Sequence, residues 1–265
     1  MHACPGANSV SGFVLTRERK TKSILRYSCH EGETTMERFR VLFHKNGSPI
    51  DAPRIRLQVS EFSESYERVV KNIIANSTTL NRETFRSNVA TLMPSFRMTR
   101  NPKYVFHGVK IQGGTVLDPK HALDICWTQV NGGLQDLKKH ITQNTSDRSR
   151  AILELSPKSR TYVIGKVTEL FEKLKWTSVK NSDVGRVGAS KILFAVLPEI
   201  ALPVDNAEWD YVFRTDNYGR VLSTMIDEIY EWEAKSQLPF ESLDSPPTTI
   251  PSIYNVMAMA ARPKK

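Results

Sequence analysis

The sequence has few cysteines and lacks a long apolar segment. Its 265 residues include three cysteines, Cys4, Cys29 and Cys126, at wide spacing. An odd, scattered set does not favour a disulfide framework, so we expect a reducing compartment. The longest apolar run, residues 192–204, is interrupted by proline and glutamate and is too short to span a bilayer. We therefore expect a cytoplasmic protein without a signal peptide and without a membrane partner.

Motifs of metal sites and of several enzyme classes are also missing. His2, Cys4, Cys29 and His30 lack the C-x-x-C pairing that is typical of zinc sites. The sequence has neither a P-loop nor a G-x-S-x-G motif. Residues 30–120 do not contain the carboxylate and lysine array of a metal-dependent nuclease. We predict neither a metal nor a cofactor.

Positive charge is in excess. Lysine and arginine number 37 against 28 aspartates and glutamates, which gives a net charge of +9. This excess favours a polyanionic partner such as nucleic acid, although many basic proteins bind no such partner. Basic residues are concentrated at 17–26 and 38–56, where they form either a DNA-binding surface or a solvated face.

The two ends of the chain differ in composition from its middle. Residues 1–34 are polar and poorly periodic, so we expect an irregular N-terminus. Prolines and basic residues in 241–265 predict an irregular basic tail that packs over the domain or stays mobile.

The fold class predicted from hydrophobic periodicity is mainly α with a small N-terminal β element. A mixed α/β region is expected over residues 35–118. Alternating apolar residues predict short strands at 39–43 and 55–59, helices follow from residue 63, and residues 106–116 are expected to be extended.

A helical domain is expected over residues 119–240. Ser156-Pro157 is a typical helix start, and apolar residues of 162–174 share one helical face. Residues 218–235 repeat this pattern. Gly132-Gly133 predicts a break in an earlier helical region.

The most informative segment lies between residues 182 and 211. The stretch 184–188, Val-Gly-Arg-Val-Gly, has two glycines that can adopt positive φ and let a phosphate approach the backbone. An apolar helix follows over 189–197, and Pro203-Val204-Asp205 opens a second helical pattern at 206–213. This order predicts an anion-binding turn near a carboxylate.

These residues resemble the helix-hairpin-helix DNA glycosylases, whose signature is a Gly-x-Gly hairpin, an apolar helix that starts with alanine, and Pro-Val-Asp. The resemblance covers residues 156–235 in layout and is dense over 183–211, and it places the helix-hairpin-helix at 182–198. The chain is a divergent member of this pattern, since Asp183 stands where the family has its first glycine. The resemblance implies a glycosylase-like helical domain.

The resemblance also implies roles for individual residues. Asp205 would be the catalytic carboxylate, which stabilises positive charge on the deoxyribose and orients a water. The residues that would contact DNA phosphates are Val184, Gly185, Arg186, Val187, Gly188, Ser190 and Lys191. The candidates for the base pocket are Trp127, Tyr162 and Trp209, although aromatic residues of a helical domain more often belong to the core.

Two further inferences concern the chemistry at Asp205. Family members that cut the strand carry a hairpin lysine that forms an imine; Arg186 stands at that spacing and cannot lose its proton. We expect Lys191, one turn later, to lie on a different face, which favours a monofunctional enzyme. The alternative for Asp205 is a capping box with Glu208, which needs no catalysis.

The expected function is that of a monofunctional DNA glycosylase. It would hydrolyse the N-glycosidic bond of a flipped, modified or damaged base and leave an abasic site. A bulky modified cytosine of phage DNA, with a role in defence, is one hypothesis for the substrate. DNA is the expected partner of a monomer that associates with the nucleoid. The alternatives are a non-catalytic helix-hairpin-helix DNA-binding protein and a purely structural interaction protein.

Overall fold

The computed structural model describes residues 40–62, 64–243 and 248–263, which belong to one compact unit, Phe39–Lys265. Within these ranges the chain is mainly helical, as predicted, and its strands form two short hairpins. The predicted irregular N-terminus lies outside the described residues, as do Cys4 and Cys29.

Nine α-helices lie within the described residues, and two short hairpins stand between some of them. The helices are α1 (Ala52–Glu61), α2 (Glu64–Asn76), α3 (Arg82–Ser95), α4 (Ala122–Asn144), α5 (Ala151–Glu154), α6 (Pro157–Lys175), α7 (Gly185–Val196), α8 (Tyr218–Ser236) and α9 (Ile250–Ala260). The antiparallel hairpins are β1 (Lys110–Gln112) with β2 (Thr115–Leu117), and β3 (Ser178–Val179) with β4 (Ser182–Asp183). A π-helical segment, Glu208–Phe213, and a 3-10 helix, Phe240–Leu243, complete the set.

Helix α1 corrects the strand predicted at residues 55–59. The side chain of Asp51 accepts a hydrogen bond from the Arg54 N–H at 2.9 Å, and Pro53 lies in the first turn. An N-cap and an early proline both favour a helix start. The alternating apolar pattern is therefore overridden by local signals that precede it.

The predicted β element near the N-terminus is smaller than expected. Around Asn46-Gly47 the chain forms a single β-bridge between Phe43 and Pro49. Hairpin β1–β2 lies later, over residues 110–117, and overlaps the segment 106–116 that was predicted to be extended. The mixed region thus owes most of its structure to α1, α2 and α3.

Helix α6 packs against α4, α7 and α8. It begins as predicted, since Ser156 accepts from the Ser159 N–H and Pro157 follows. Helix α4 runs through Gly132 and Gly133, so the predicted break there is wrong. A Cβ at position 133 would lie 2.7 Å from a methyl carbon of buried Leu170, and the glycine therefore lets α4 and α6 approach closely.

The C-terminal segment also differs from its prediction. Residues 250–260, predicted to be irregular, form α9, which starts with a reciprocal cap between Thr249 and Ser252. Its buried side chains pack against α1 and the π-helical segment. Proline at the first turn is compatible with a helix start, so the composition of the tail was misleading.

Two buried carboxylates connect distant parts of the chain. Glu228 accepts from the Leu42 N–H and from the Tyr254 hydroxyl, each at 2.6 Å, and burial raises the pKa of Glu228. Glu199 pairs with Lys138 and with Arg148. Burial lowers the pKa of Lys138, and the charge of Glu199 opposes that shift.

Within residues 40–62, 64–243 and 248–263, no helix combines the length and the apolar character that a bilayer crossing requires.

The adjacent glycines of α4 give a matched test of helix packing. At position 132 a Cβ meets open space, so Gly132→Ala should raise the free energy of unfolding by roughly 0.5–1 kcal/mol. Gly133→Ala should lower it by roughly 1–3 kcal/mol, because the new methyl group overlaps Leu170. Urea unfolding of both variants measures the difference. Equal effects of the two substitutions would contradict the packing of α4 on α6.

Candidate functional site

Helix α6, hairpin β3–β4 and helix α7 follow one another and form the scaffold of the candidate site. Lys180 and Asn181 adopt positive φ at the hairpin turn, and the Val184 N–H bonds to the Thr177 carbonyl at 3.0 Å. Gly185 starts α7 with a φ of +70°, where a side chain would be strained although space is open. The positive φ that was expected at Gly185 is therefore confirmed.

Gly188 has a different role from the one predicted. A Cβ there would lie 2.8 Å from a Val184 methyl group and 3.2 Å from the Phe106 ring. The glycine is buried and allows α7 to pack closely, so it does not offer its backbone to a phosphate.

The corner that carries Asp205 is fixed by side-chain hydroxyl groups. Ser190 Oγ on α7 accepts from the Val204 N–H at 3.0 Å. The Tyr218 hydroxyl accepts from the Leu202 N–H at 2.9 Å and donates to the Leu202 carbonyl at 2.8 Å. These bonds satisfy the backbone of a turn without regular structure and hold Asp205 at one place beside α7.

The carboxylate of Asp205 lies between two cations. One oxygen pairs with Nζ of Lys191, and the other accepts from Nη2 of Arg262 at 2.9 Å. The Lys191 side chain is 1% exposed, whereas that of Asp205 is 28% exposed. Within the cluster, the lysine side chain is therefore buried, whereas the Asp205 carboxylate is partly exposed to solvent.

Burial of Lys191 sets the electrostatics of the cluster. Loss of hydration lowers the pKa of Lys191, and the charge of Asp205 opposes that shift. The ammonium group also lies 3.7 Å from the centre of the Phe96 ring, within range of a cation–π contact. The expectation that Lys191 lies on a different face from Asp205 is therefore wrong.

Glu208 completes the cluster. Its carboxylate accepts from the Asp205 N–H at 2.8 Å and from Nε of Arg262 at 2.8 Å. Burial raises the pKa of Glu208, and the charge of Arg262 opposes the shift. Half of the predicted capping box is thus present, but the Asp205 side chain is directed to Lys191 and Arg262 instead.

The residues predicted to contact DNA divide into two groups. Gly185, Arg186 and Val187 are partly exposed at the start of α7. Val184, Gly188, Ser190 and Lys191 are buried and expose little surface to a ligand. Arg186 pairs with Asp210 at 2.6 Å and with Asp216 at 2.8 Å, so a phosphate would compete with these carboxylates.

The three aromatic candidates lie in different surroundings. Trp209 is buried against Phe171 and Tyr218, which agrees with the alternative that it belongs to the core. Trp127 is half-buried against Phe85, and Tyr162 is exposed beside His140. The structure does not bring these three rings into contact with one another.

Two partners of Asp205 were missed by sequence reasoning. Lys191 lies on the face of α7 that meets Asp205, contrary to the prediction, although only 14 residues separate the two. Arg262 is 57 residues from Asp205 and follows a segment that was predicted to be irregular. The apolar run 250–258 indicates a helix that packs on the core, but the prolines of the tail favoured an irregular segment.

Within the described ranges, groups of three or more histidine, cysteine, aspartate or glutamate residues placed to hold a metal ion do not occur. His2, Cys4, Cys29 and His30 lie outside those ranges.

Comparisons with protein-family models, curated proteins and solved structures give no match. The resemblance to helix-hairpin-helix glycosylases therefore stays a prediction.

Removal of the Asp205 carboxylate should destabilise the protein in a pH-dependent manner. Asp205→Ala leaves Lys191 buried without this partner, which should lower the free energy of unfolding by on the order of 3 kcal/mol at pH 7. The pKa of Lys191 is below its unfolded value of about 10.4, so the folded lysine loses its proton first as pH rises. The loss should therefore shrink between neutral pH and pH 10.

Urea unfolding at pH 7 and pH 9.5 measures this effect. The matched control is Asp136→Ala, which removes an exposed carboxylate from α4 and should change stability by less than about 0.5 kcal/mol at either pH. A loss at Asp205 that is the same at both pH values would contradict the buried pairing.

Proposed function

We propose that the protein is a monofunctional DNA glycosylase in which Asp205 is the catalytic carboxylate. The observation that carries this proposal is the exposure of the Asp205 carboxylate beside two buried charged side chains, Lys191 and Glu208. Glu199 and Glu228 belong to networks of similar construction, yet both are buried. Asp205 alone among these three carboxylates keeps more than a quarter of its side chain accessible to a ligand.

The position of Asp205 suits stabilisation of a developing cation. When the bond between base and deoxyribose breaks, its electrons leave with the base and positive charge grows on the sugar. A carboxylate that is already held in place stabilises this charge without reorganisation. A water that attacks the sugar carbon would give a proton to the same carboxylate and complete hydrolysis.

The monofunctional assignment is supported by the two cationic side chains of α7. Arg186 stays protonated and is unsuited to imine formation. Lys191 is 1% exposed and pairs with Asp205, so its amine is not presented to a sugar aldehyde. Both features favour hydrolysis by water over attack by lysine.

DNA binding is supported by the exposed parts of the hairpin and by net charge. Lys180 is exposed at the hairpin turn. The first residues of α7, 185–187, follow soon after in the chain and are partly exposed. Backbone N–H groups in a helix start favour anions, and the net charge of +9 favours a polyanion. The base is left open in this proposal, and phage-type modified cytosine is one candidate.

A second candidate function follows from the pairing of Asp205. Both carboxylate oxygens already have cationic partners, as expected for a purely structural ion cluster. The second candidate is therefore a DNA-binding protein that keeps the hairpin and performs no chemistry.

Asp205→Asn separates the two candidates. For the enzyme, loss of the negative charge should lower the rate of base release by at least about 10²-fold, with DNA affinity nearly unchanged. Abasic sites are read as alkali-dependent breaks in duplexes that carry ordinary, damaged or phage-type modified bases. Asp136→Asn on α4 is the matched control and should retain the wild-type rate.

The remaining outcomes decide between the alternatives. Tight, salt-dependent binding without base release by the wild type would favour the DNA-binding protein. Absence of salt-dependent binding would exclude both functions. Breaks that appear without alkali, or a borohydride-trapped complex, would contradict the monofunctional assignment.

A further inference from the structure

Arg262 reaches the Asp205 cluster from the end of α9. Its Nη2 donates to Asp205 Oδ2 at 2.9 Å, and its Nε donates to Glu208 at 2.8 Å. One guanidinium group therefore bridges two carboxylates that are three residues apart in the chain. Its side chain is 29% exposed, so it closes one side of the carboxylate without covering it.

Helix α9 is held in register by contacts along its length. The Thr249 hydroxyl donates to the Pro198 carbonyl at 2.7 Å, close to the end of α7. The Asn255 amide donates to the Tyr66 hydroxyl at 2.6 Å, and the Tyr254 hydroxyl donates to Glu228. These buried polar contacts fix the rotation and the axial position of the helix. The backbone that carries Arg262 is therefore positioned relative to α7, which carries Lys191.

We propose that Arg262 is a positioning residue that fixes the orientation of the Asp205 carboxylate for base release. The inference rests on the proposed function and deepens it. Lys191 holds one oxygen of Asp205, and a carboxylate held at one oxygen can still turn about its Cβ–Cγ bond. The bond from Arg262 to the second oxygen removes that freedom. A rigid planar guanidinium is better suited to this role than a flexible ammonium group.

The local balance of charge supports the same role. Lys191 and Arg262 face Asp205 and Glu208, two cations against two carboxylates. Without Arg262, Asp205 and buried Glu208 would share a single cationic neighbour. Repulsion between the two carboxylates would then favour rotation of Asp205 towards solvent, away from the orientation that the cluster imposes.

The test compares Arg262→Gln and Arg262→Lys in single-turnover base release and in DNA binding. Arg262→Gln should lower the rate by at least about 10-fold, because a misplaced catalytic group loses rate steeply. The dissociation constant for DNA should stay within about 2-fold, and Arg262→Lys should restore part of the rate. Arg220→Gln, an exposed arginine on α8, is the matched control and should keep the wild-type rate.

A crystal structure of the Arg262→Gln variant gives a readout that does not depend on activity. The Asp205 carboxylate should be rotated or present in two orientations, whereas Arg262→Lys should keep one. An unchanged orientation would overturn the proposal. If Arg262→Gln fails to fold, Arg262→Lys still tests the proposal. A wild-type rate in that variant, together with an altered Asp205 orientation, would show that the orientation does not set the rate and would overturn the proposal.

The outcomes separate this proposal from the proposed function. A wild-type protein that releases no base from any duplex would refute the glycosylase function and, with it, the role of Arg262. An active wild type with an unchanged rate in Arg262→Gln would refute the role of Arg262 alone. Weaker DNA binding with a salt dependence reduced by about one charge, at an unchanged rate, would instead make Arg262 a phosphate contact.

Discussion

The ion pair between buried Lys191 and partly exposed Asp205 is the interaction on which the candidate site depends. An ammonium group with almost no exposed surface requires a compensating charge, and Asp205 supplies it. The pair joins α7 to the turn that follows it and thereby fixes where the π-helical segment starts. The hydroxyl groups of Ser190 and Tyr218 satisfy the backbone of that turn, so its position is determined by polar contacts rather than by regular structure.

The same principle recurs at Glu199 and Glu228, where buried carboxylates connect segments far apart in sequence. Glu228 joins α8 to residue 42 and to α9, and Glu199 joins the end of α7 to α4. In all three clusters the paired groups come from different elements. The arrangement of the helices is therefore specified by charge pairing as well as by apolar packing, because each misplaced helix would leave a buried charge without a partner.

Much of the helical structure could be predicted because its signals are local. Ser156-Pro157 marks the start of α6, and the periodicity of residues 218–235 predicts α8. The strand at 55–59 was wrong because a cap at Asp51 outweighs a short alternating pattern. Helix α9 was missed because its prolines suggested disorder, although one of them occupies a first turn, where proline is tolerated.

The candidate site was predictable only in part. The positive φ of Gly185 follows from a local glycine-containing pattern, and the Pro203-Val204-Asp205 corner is read from residues that are close in sequence. Burial of Lys191 and the contact of Arg262 depend on tertiary packing, which periodicity does not encode. Arg186 and Lys191 are both basic residues of α7, yet one pairs at the surface and the other in the interior.

Lys191 and Arg262, the two cations that pair with Asp205, lie at very different distances from it along the chain. Lys191 closes a loop of 14 residues and Arg262 one of 57, a difference of about 1 kcal/mol in closure entropy for a flexible chain. Closure entropy alone therefore favours the contact with Lys191, and the contact with Arg262 depends more on the packing that holds α9 in place.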